Sequence, residues 1–319
     1  MFSPSCRFSR IFSMTPLALV LVLAGSGPAA GGGVGLPTRS AGVGFGNLED
    51  FSGLRFNLSD RGVERVDGIN VTFWNPDQHN RGLYRGIQFN LVGHSGTLTQ
   101  GLSLNGVGLG NGDFQGLAVG GLGVGGDNMT GIVVGGLGVG GDDLTGVFCG
   151  GLGVGGDDVT GIALGGLGVG GDKLTGVFCG GLGVGGDDMT GIAVGGLGVG
   201  GDDLTGVFCG GLGVGGDDLT GIAVGGLGVG GDRLEGLFAG GAIGGDSVDG
   251  IALAAGYLKA ESFRGFGTGA HTNLKKAQGL CIGIFNRADV LEGVQIGVLN
   301  HAGNNPRGLQ WLPGINAHF

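Results

Sequence analysis

Residues 135–149 read GGLGVGGDDLTGVFC. Leu137 and Val139 alternate with Gly138 and Gly140, a period of two that suits a short strand with one buried face. The alternation predicts Leu and Val inward and the glycine face outward. Gly140-Gly141-Asp142-Asp143 then supplies turn chemistry, because Gly tolerates positive φ and Asp carboxylates accept bonds from nearby backbone amides. A second short strand carries Thr145, Gly146, Val147, Phe148 and Cys149, with Val147 and Cys149 on one side and Phe148 on the other. Gly150-Gly151 closes the circuit. Two strands of about five residues and two tight turns use about 15 residues, one circuit of a flattened solenoid.

Outward from this unit, one register aligned on Gly146 runs through eighteen glycines from Gly53 to Gly308. Most steps are 15 residues, those reaching Gly250, Gly279 and Gly293 are 14, and the step of 18 from Gly68 to Gly86 accommodates a loop over 75–82. The expected fold is all-β, an elongated β-solenoid with two short strands per roughly 15-residue coil. Stacking about 4.8 Å apart sets each side chain above its own kind, so Leu122 to Leu227 and Val124 to Val229 are expected as two buried columns. The second strand alternates Gly-Val-Phe-Cys, at 146, 176 and 206, with Gly-Ile-Ala-Leu or Gly-Ile-Ala-Val, at 161, 191 and 221, the pattern of a duplicated two-coil unit. Solenoid ends need protection from edge pairing, and Trp74-Asn75-Pro76 and Trp311-Leu312-Pro313 are the expected caps.

The chain holds 86 Gly and 7 Pro in 319 residues, about 29% of the total, a level that without periodicity indicates disorder. Residues 1–30 read as a cleaved signal peptide, with Arg7 and Arg10, an apolar run over 17–24, and Ala29-Ala30 as a small-residue cleavage site. Residues 31–50 are expected as a Gly-rich linker and 51–319 as the solenoid, exported to the cell surface, outer membrane or periplasm. The formal net charge is −10, and loss of the signal makes the balance more acidic by two charges. Nucleic acid is therefore not an expected partner, since phosphate binding needs a basic face.

Cys149, Cys179 and Cys209 lie two coils apart, about 9.6 Å and beyond the roughly 7 Å reach of a disulfide, so they are expected as buried free thiols. Cys281 is isolated, and the five His residues lack ligand spacing. No Ser, His and acid set and no phosphate-binding Lys can be argued from the array, so neither an enzyme nor a small-molecule substrate is expected.

Three columns carry the chemistry. An Asp recurs once per coil from Asp127 through Asp172 to Asp232, and Asp142, Asp157, Asp187, Asp202 and Asp217 are each followed by a second Asp. Carboxylates about 4.8 Å apart repel by roughly 0.9 kcal/mol in water, which a divalent cation would relieve. Weak calcium binding is thus the one cofactor expectation, against a solvated turn in which Asp accepts backbone bonds, a looser role that Lys173 and Arg233 in the second position suit. The Thr column, including Thr130, Thr145 and Thr160, raises an ice-binding rod, against Thr as a β-favouring residue. Phe148, Phe178, Phe208 and Phe238, interleaved with Val133, Ala163, Ala193 and Ala223, read as an outward apolar stripe for a partner. The partner classes are another copy of the chain, an outer-membrane surface or another envelope protein. The terminal Phe319 raises an outer-membrane β-barrel, but strands of about five residues fall short of the 9–11 that span a bilayer.

The C-terminal coils, QGLCIGIFNRADVLEGVQIGVLNHAG over 278–303, contain Gly293-Val294-Gln295-Ile296-Gly297-Val298-Leu299-Asn300, echoed by Gly68-Ile69-Asn70-Val71 and Gly86-Ile87-Gln88-Phe89. This pattern of Gly-apolar-Gln-Ile-Gly with an Asn resembles a family of exported bacterial surface-repeat proteins. The resemblance implies a surface location and no activity; the central units replace the Gln and Asn. The expected function is a non-enzymatic structural or adhesive role at the bacterial surface or envelope.

Overall fold

A computed structural model describes residues 33–74 and 81–319. The expected signal peptide, and Asn75 and Pro76 of the expected N-terminal cap, lie outside the described residues. Those described are 82% strand with no helix and form a β-solenoid of roughly 15-residue coils. They fall into two compact units that meet in sequence at Asp172 and Lys173.

In the first unit, Gly138–Gly150 pairs parallel with Gly153–Gly165, each residue opposite the one 15 later: Leu144 meets Val159 and Phe148 meets Ala163. In the second unit the same rule sets Thr190 opposite Thr205 and Val214 opposite Val229. Parallel pairing of successive coils replaces the antiparallel staves of an outer-membrane barrel. Pairing carries through the Gly-Gly-Asp-Asp step, with Asp142 alone left out of the ladder between Gly138 and Gly150. Adjacent coils bend together there, so a bend need not interrupt the ladder.

The register glycine lies inside an unbroken strand and holds a backbone conformation closed to other residues. Gly146 has φ +136°, and a Cβ on it would stand 2.0 Å from the carbonyl oxygen of Gly131 in the preceding coil. An L side chain is excluded twice, by conformation and by space. All eighteen register glycines have φ between +98° and +144°.

Three positions per coil fill the interior of the central coils: Val139, Leu144 and Phe148 are at most 4% exposed, as are Val154, Val159 and Ala163 in the next. The Val column is buried as expected. The Leu column is not: Leu137 and Leu152 are each 50% exposed, and Leu182 and Leu197 in the second unit likewise. Gly136-Leu137 and Gly151-Leu152 form the bends between strands, so the alternation that buries Val139 stops before it reaches Leu137.

The Phe stripe is inverted as well. Phe148, Phe178, Phe208 and Phe238 are at most 1% exposed, with Val133, Ala163, Ala193 and Ala223 buried alongside them. Alternation separates Phe148 from Val147 and Cys149 without saying which side faces in. The sizes say it: large and small side chains alternate along the core column, Phe148 between Val133 and Ala163 and Phe208 between Ala193 and Ala223. For the same reason Cys149 is half-buried and Cys179 and Cys209 are exposed, not buried; among the described cysteines only Cys281 is enclosed, and burial pushes its thiol up to about 12.

The segment expected as a linker holds two strands. Val34–Pro37 pairs antiparallel with Ala41–Phe45, which pairs parallel with Asp50–Ser59. At the C-terminal end, Trp311–His318 lies antiparallel against residues 293–301. Each of these antiparallel strands closes one edge of its unit. Trp311-Leu312-Pro313 is thus part of a closing strand. Trp74 is not, since its strand Arg65–Trp74 is paired on both sides.

Candidate interaction surface

On either side of Gly146 each coil carries two chemically distinct stretches. Before it, Asp142, Asp143 and Thr145 are exposed around buried Leu144; after it, Val147 and Cys149 flank buried Phe148 on the outside of the coil.

On the acidic side, Asp143 stacks on Asp158 in the first unit, and Asp188, Asp203 and Asp218 stack in the second. The Asp142, Asp157, Asp187, Asp202 and Asp217 carboxylates are solvated. Partial burial, then the charges of Asp172 and Asp142, raise the Asp157 carboxyl above its ordinary range. Where a cation replaces the second acid it pairs along the stack: Arg233 NH1 donates to both Asp218 carboxylate oxygens at 3.0 Å. Among the described residues, no three His, Cys, Asp or Glu side chains converge as a metal site. The Thr column, with Thr130, Thr145 and Thr160 in register, is a single exposed rank on this side.

On the other side the exposed residues are apolar. Two neighbouring ladder positions run through the first unit, one from Leu54 by Ile69, Ile87 and Ile132 to Ile162, the other from Phe56 by Phe89, Leu104 and Val134 to Leu164. Ile132 is 50% exposed and Leu164 43%. The bend residues Leu137 and Leu152 follow on the same stretch of chain. In the second unit Ile192, Val194, Ile222 and Val224 repeat the arrangement. In the earliest coils the face becomes concave, an aromatic groove of about 860 Å³ walled by Phe45, Phe56, Phe73 and Phe89 with Leu58 and Leu91. Phe45 and Phe56 stack with centroids 5.6 Å apart.

Beneath that groove the interior is polar. The position held by Phe148 is Arg55, Asn70, Gln88 and Ser103 in the earlier coils, each opposite the next in the ladder. Asp60, fully buried, accepts from the Arg55 guanidinium, from Asn57 Nδ2 at 2.6 Å, Tyr84 Oη at 3.2 Å and Thr72 Oγ1 at 3.3 Å. Asn90 Nδ2 donates to Asn105 Oδ1 at 2.9 Å, and Asn105 Nδ2 to Ser103 Oγ at 3.0 Å. His94, in the column that Val139 occupies later, lies 2.9 Å from Thr99 Oγ1 and edge-on to Tyr84. Burial holds its imidazole down at about 4, against a weaker upward pull from Asp60.

Neither the exposed Ile, Val and Leu columns nor the polar interior was expected from sequence. The first carried a signal: Phe alternating with Ala at one position marks size compensation in a core, while Val alternating with Ile at the neighbouring position does not. The second had one too, since Gln88 and Gln295 of the surface-repeat motif stand two residues after the register glycine and are both fully buried.

Fold and surface together define a β-solenoid repeat protein whose coils carry an acidic side and an apolar side. No family model, curated protein or solved structure matches the chain.

Proposed function

We propose that the chain is a non-enzymatic structural or adhesive repeat protein of the bacterial envelope, and that the exposed apolar columns are its adhesive surface. The observation that carries this reading is the repetition, coil after coil, of half-exposed Ile, Val and Leu on one side only. Exposed apolar patches beyond a few hundred Å² mark interaction sites, because water leaving such a surface contributes about 25 cal/mol per Å². Nothing in the packing of a single coil requires those positions to be apolar. An envelope location is supported by the signal-like segment at 1–30 and by the Gly-apolar-Gln-Ile-Gly resemblance at both ends of the array.

Fractionation of cells producing the full chain, with and without protease added outside, tests the location. Recovery in the envelope fraction is expected, and intact recovery with cytoplasmic markers would overturn it. Binding of the purified chain to envelope preparations from cells that carry the chain, where copies can exchange, tests the surface. Exchange of Ile132 and Ile162 for Asp should abolish retention, while exchange of Thr145 and Thr160 for Ser should leave it unchanged.

A further inference from the structure

We propose that the apolar face is occupied by a second copy of this chain, packed face to face. The proposal rests on the reading of that face as adhesive and names its occupant. Two observations favour a copy over a lipid surface or an unrelated protein.

The first is spacing. The face is a set of parallel ridges, one per coil, that repeat at the strand separation of about 4.8 Å. A partner that interdigitates over many coils must carry the same repeat, and this chain's own face does. The second is area. Half-exposed Leu137, Ile132 and Val134 together offer on the order of 200 Å² per coil, so four coils reach the roughly 800 Å² per partner of a standard interface. A face used on both copies is self-complementary and closes at two chains.

The thiols on this face report the pairing. Cys179 and Cys209 are exposed on it, in register and two coils apart within one chain, so each can form a disulfide only with another copy. Copper-phenanthroline with dioxygen would take two electrons and two protons from each pair of thiols as the S–S bond forms.

The full purified chain should therefore run in light scattering at twice the chain mass. A chain retaining both Cys179 and Cys209, the others changed to Ser, should yield disulfide-linked dimer on oxidation. A chain retaining only buried Cys281 should yield none. Ile132→Asp with Ile162→Asp, and Ile192→Asp with Ile222→Asp, should shift the mass to one chain and reduce crosslinking at least tenfold. The corresponding Thr variants keep a β-branched side chain should the Asp forms fail to fold, and are expected to weaken the dimer in the same direction. A single-chain mass at all concentrations would overturn the proposal, as would a dimer indifferent to these substitutions. If the monomeric chain instead floats with neutral phosphatidylcholine vesicles and the Ile variants do not, the copy is wrong and the adhesive face stands. A monomer that binds neither vesicles nor envelope overturns both.

Discussion

Within the first unit, the coils over 50–105 and those over 109–165 keep one backbone register and fill it with opposite chemistry. The later coils hold Val, Leu, Phe and Ala; the earlier hold an Arg55–Asp60 ion pair, an Asn ladder and a buried His. The later interior is nearly degenerate: Val stacks on Val, and a slip of two coils would restore even the alternation of Phe with Ala. Such columns give burial without specifying which coil sits on which. The earlier coils are all different inside, and any slip would strand a buried charge or amide. The comparison teaches that one part of the array supplies apolar burial and the other supplies register, as buried polar groups do in coiled coils.

The largest expected effect is at the ion pair. Asp60→Ala leaves the Arg55 guanidinium buried without its counter-charge and removes the acceptor used by Asn57, Thr72 and Tyr84, so a loss of about 5 kcal/mol is expected in urea unfolding. Replacing both partners, Arg55→Met with Asp60→Leu, should recover most of that stability. Hydrogen exchange should then show mixed protection in the first coils if the pair sets register, and uniform protection would break the comparison.

Phe148→Ala comes next, at about 4 kcal/mol, because Val133 and Ala163 are too small to fill the space left. Val147→Ser, one residue away but on the outer face, should cost well under 1 kcal/mol. Equal costs measured by thermal or urea unfolding would contradict the inward assignment of Phe.

The third effect depends on pH. His94 is buried and neutral in the folded coil, with its pKa lowered from 6.5 to about 4, whereas the unfolded chain binds a proton near 6.5. Folding stability should therefore fall as the pH drops from 6.5 to 4, by about 3 kcal/mol, and level off below that. His94→Leu, which copies Leu109 in the next coil, should flatten the curve, and a slope unchanged by this variant would place the titration elsewhere.

The smallest is on the acidic side. Asp157 has a raised carboxyl pKa, so its charged form opposes folding, and that penalty disappears as the pH falls through the raised value. Asp157→Asn should raise the melting temperature slightly at pH 7 and not at all at pH 3.

Much of the architecture was legible before any coordinates. The 15-residue period predicted parallel stacking, because identical residues at constant spacing bury one another only when coils superpose. The positive φ expected at Gly140-Gly141 falls instead on the register glycine, where a Cβ at Gly146 would meet the Gly131 carbonyl. The surface was read on the wrong side. Leu137 was assigned inward by extending an alternation through a bend, and Phe148 outward by assuming that Val147 and Cys149 faced the core. The Gly-rich stretch over 31–50 looked like a linker because its strands, Val34–Pro37 and Ala41–Phe45, are defined by pairing and not by apolar pattern.

From its residues alone this chain is a stack of equal coils, since a constant repeat period sets like residues over one another and pairs the backbone of each coil with the next. What needed the folded coil was the sign of each strand. Alternation divides side chains into two sets symmetrically, and only the room inside the coil decides that Phe148 enters while Val147 and Cys149 stay out. The polar interior needed it as well, because Arg55, Asp60, Tyr84 and His94 are strangers in sequence until the winding of successive coils brings them together.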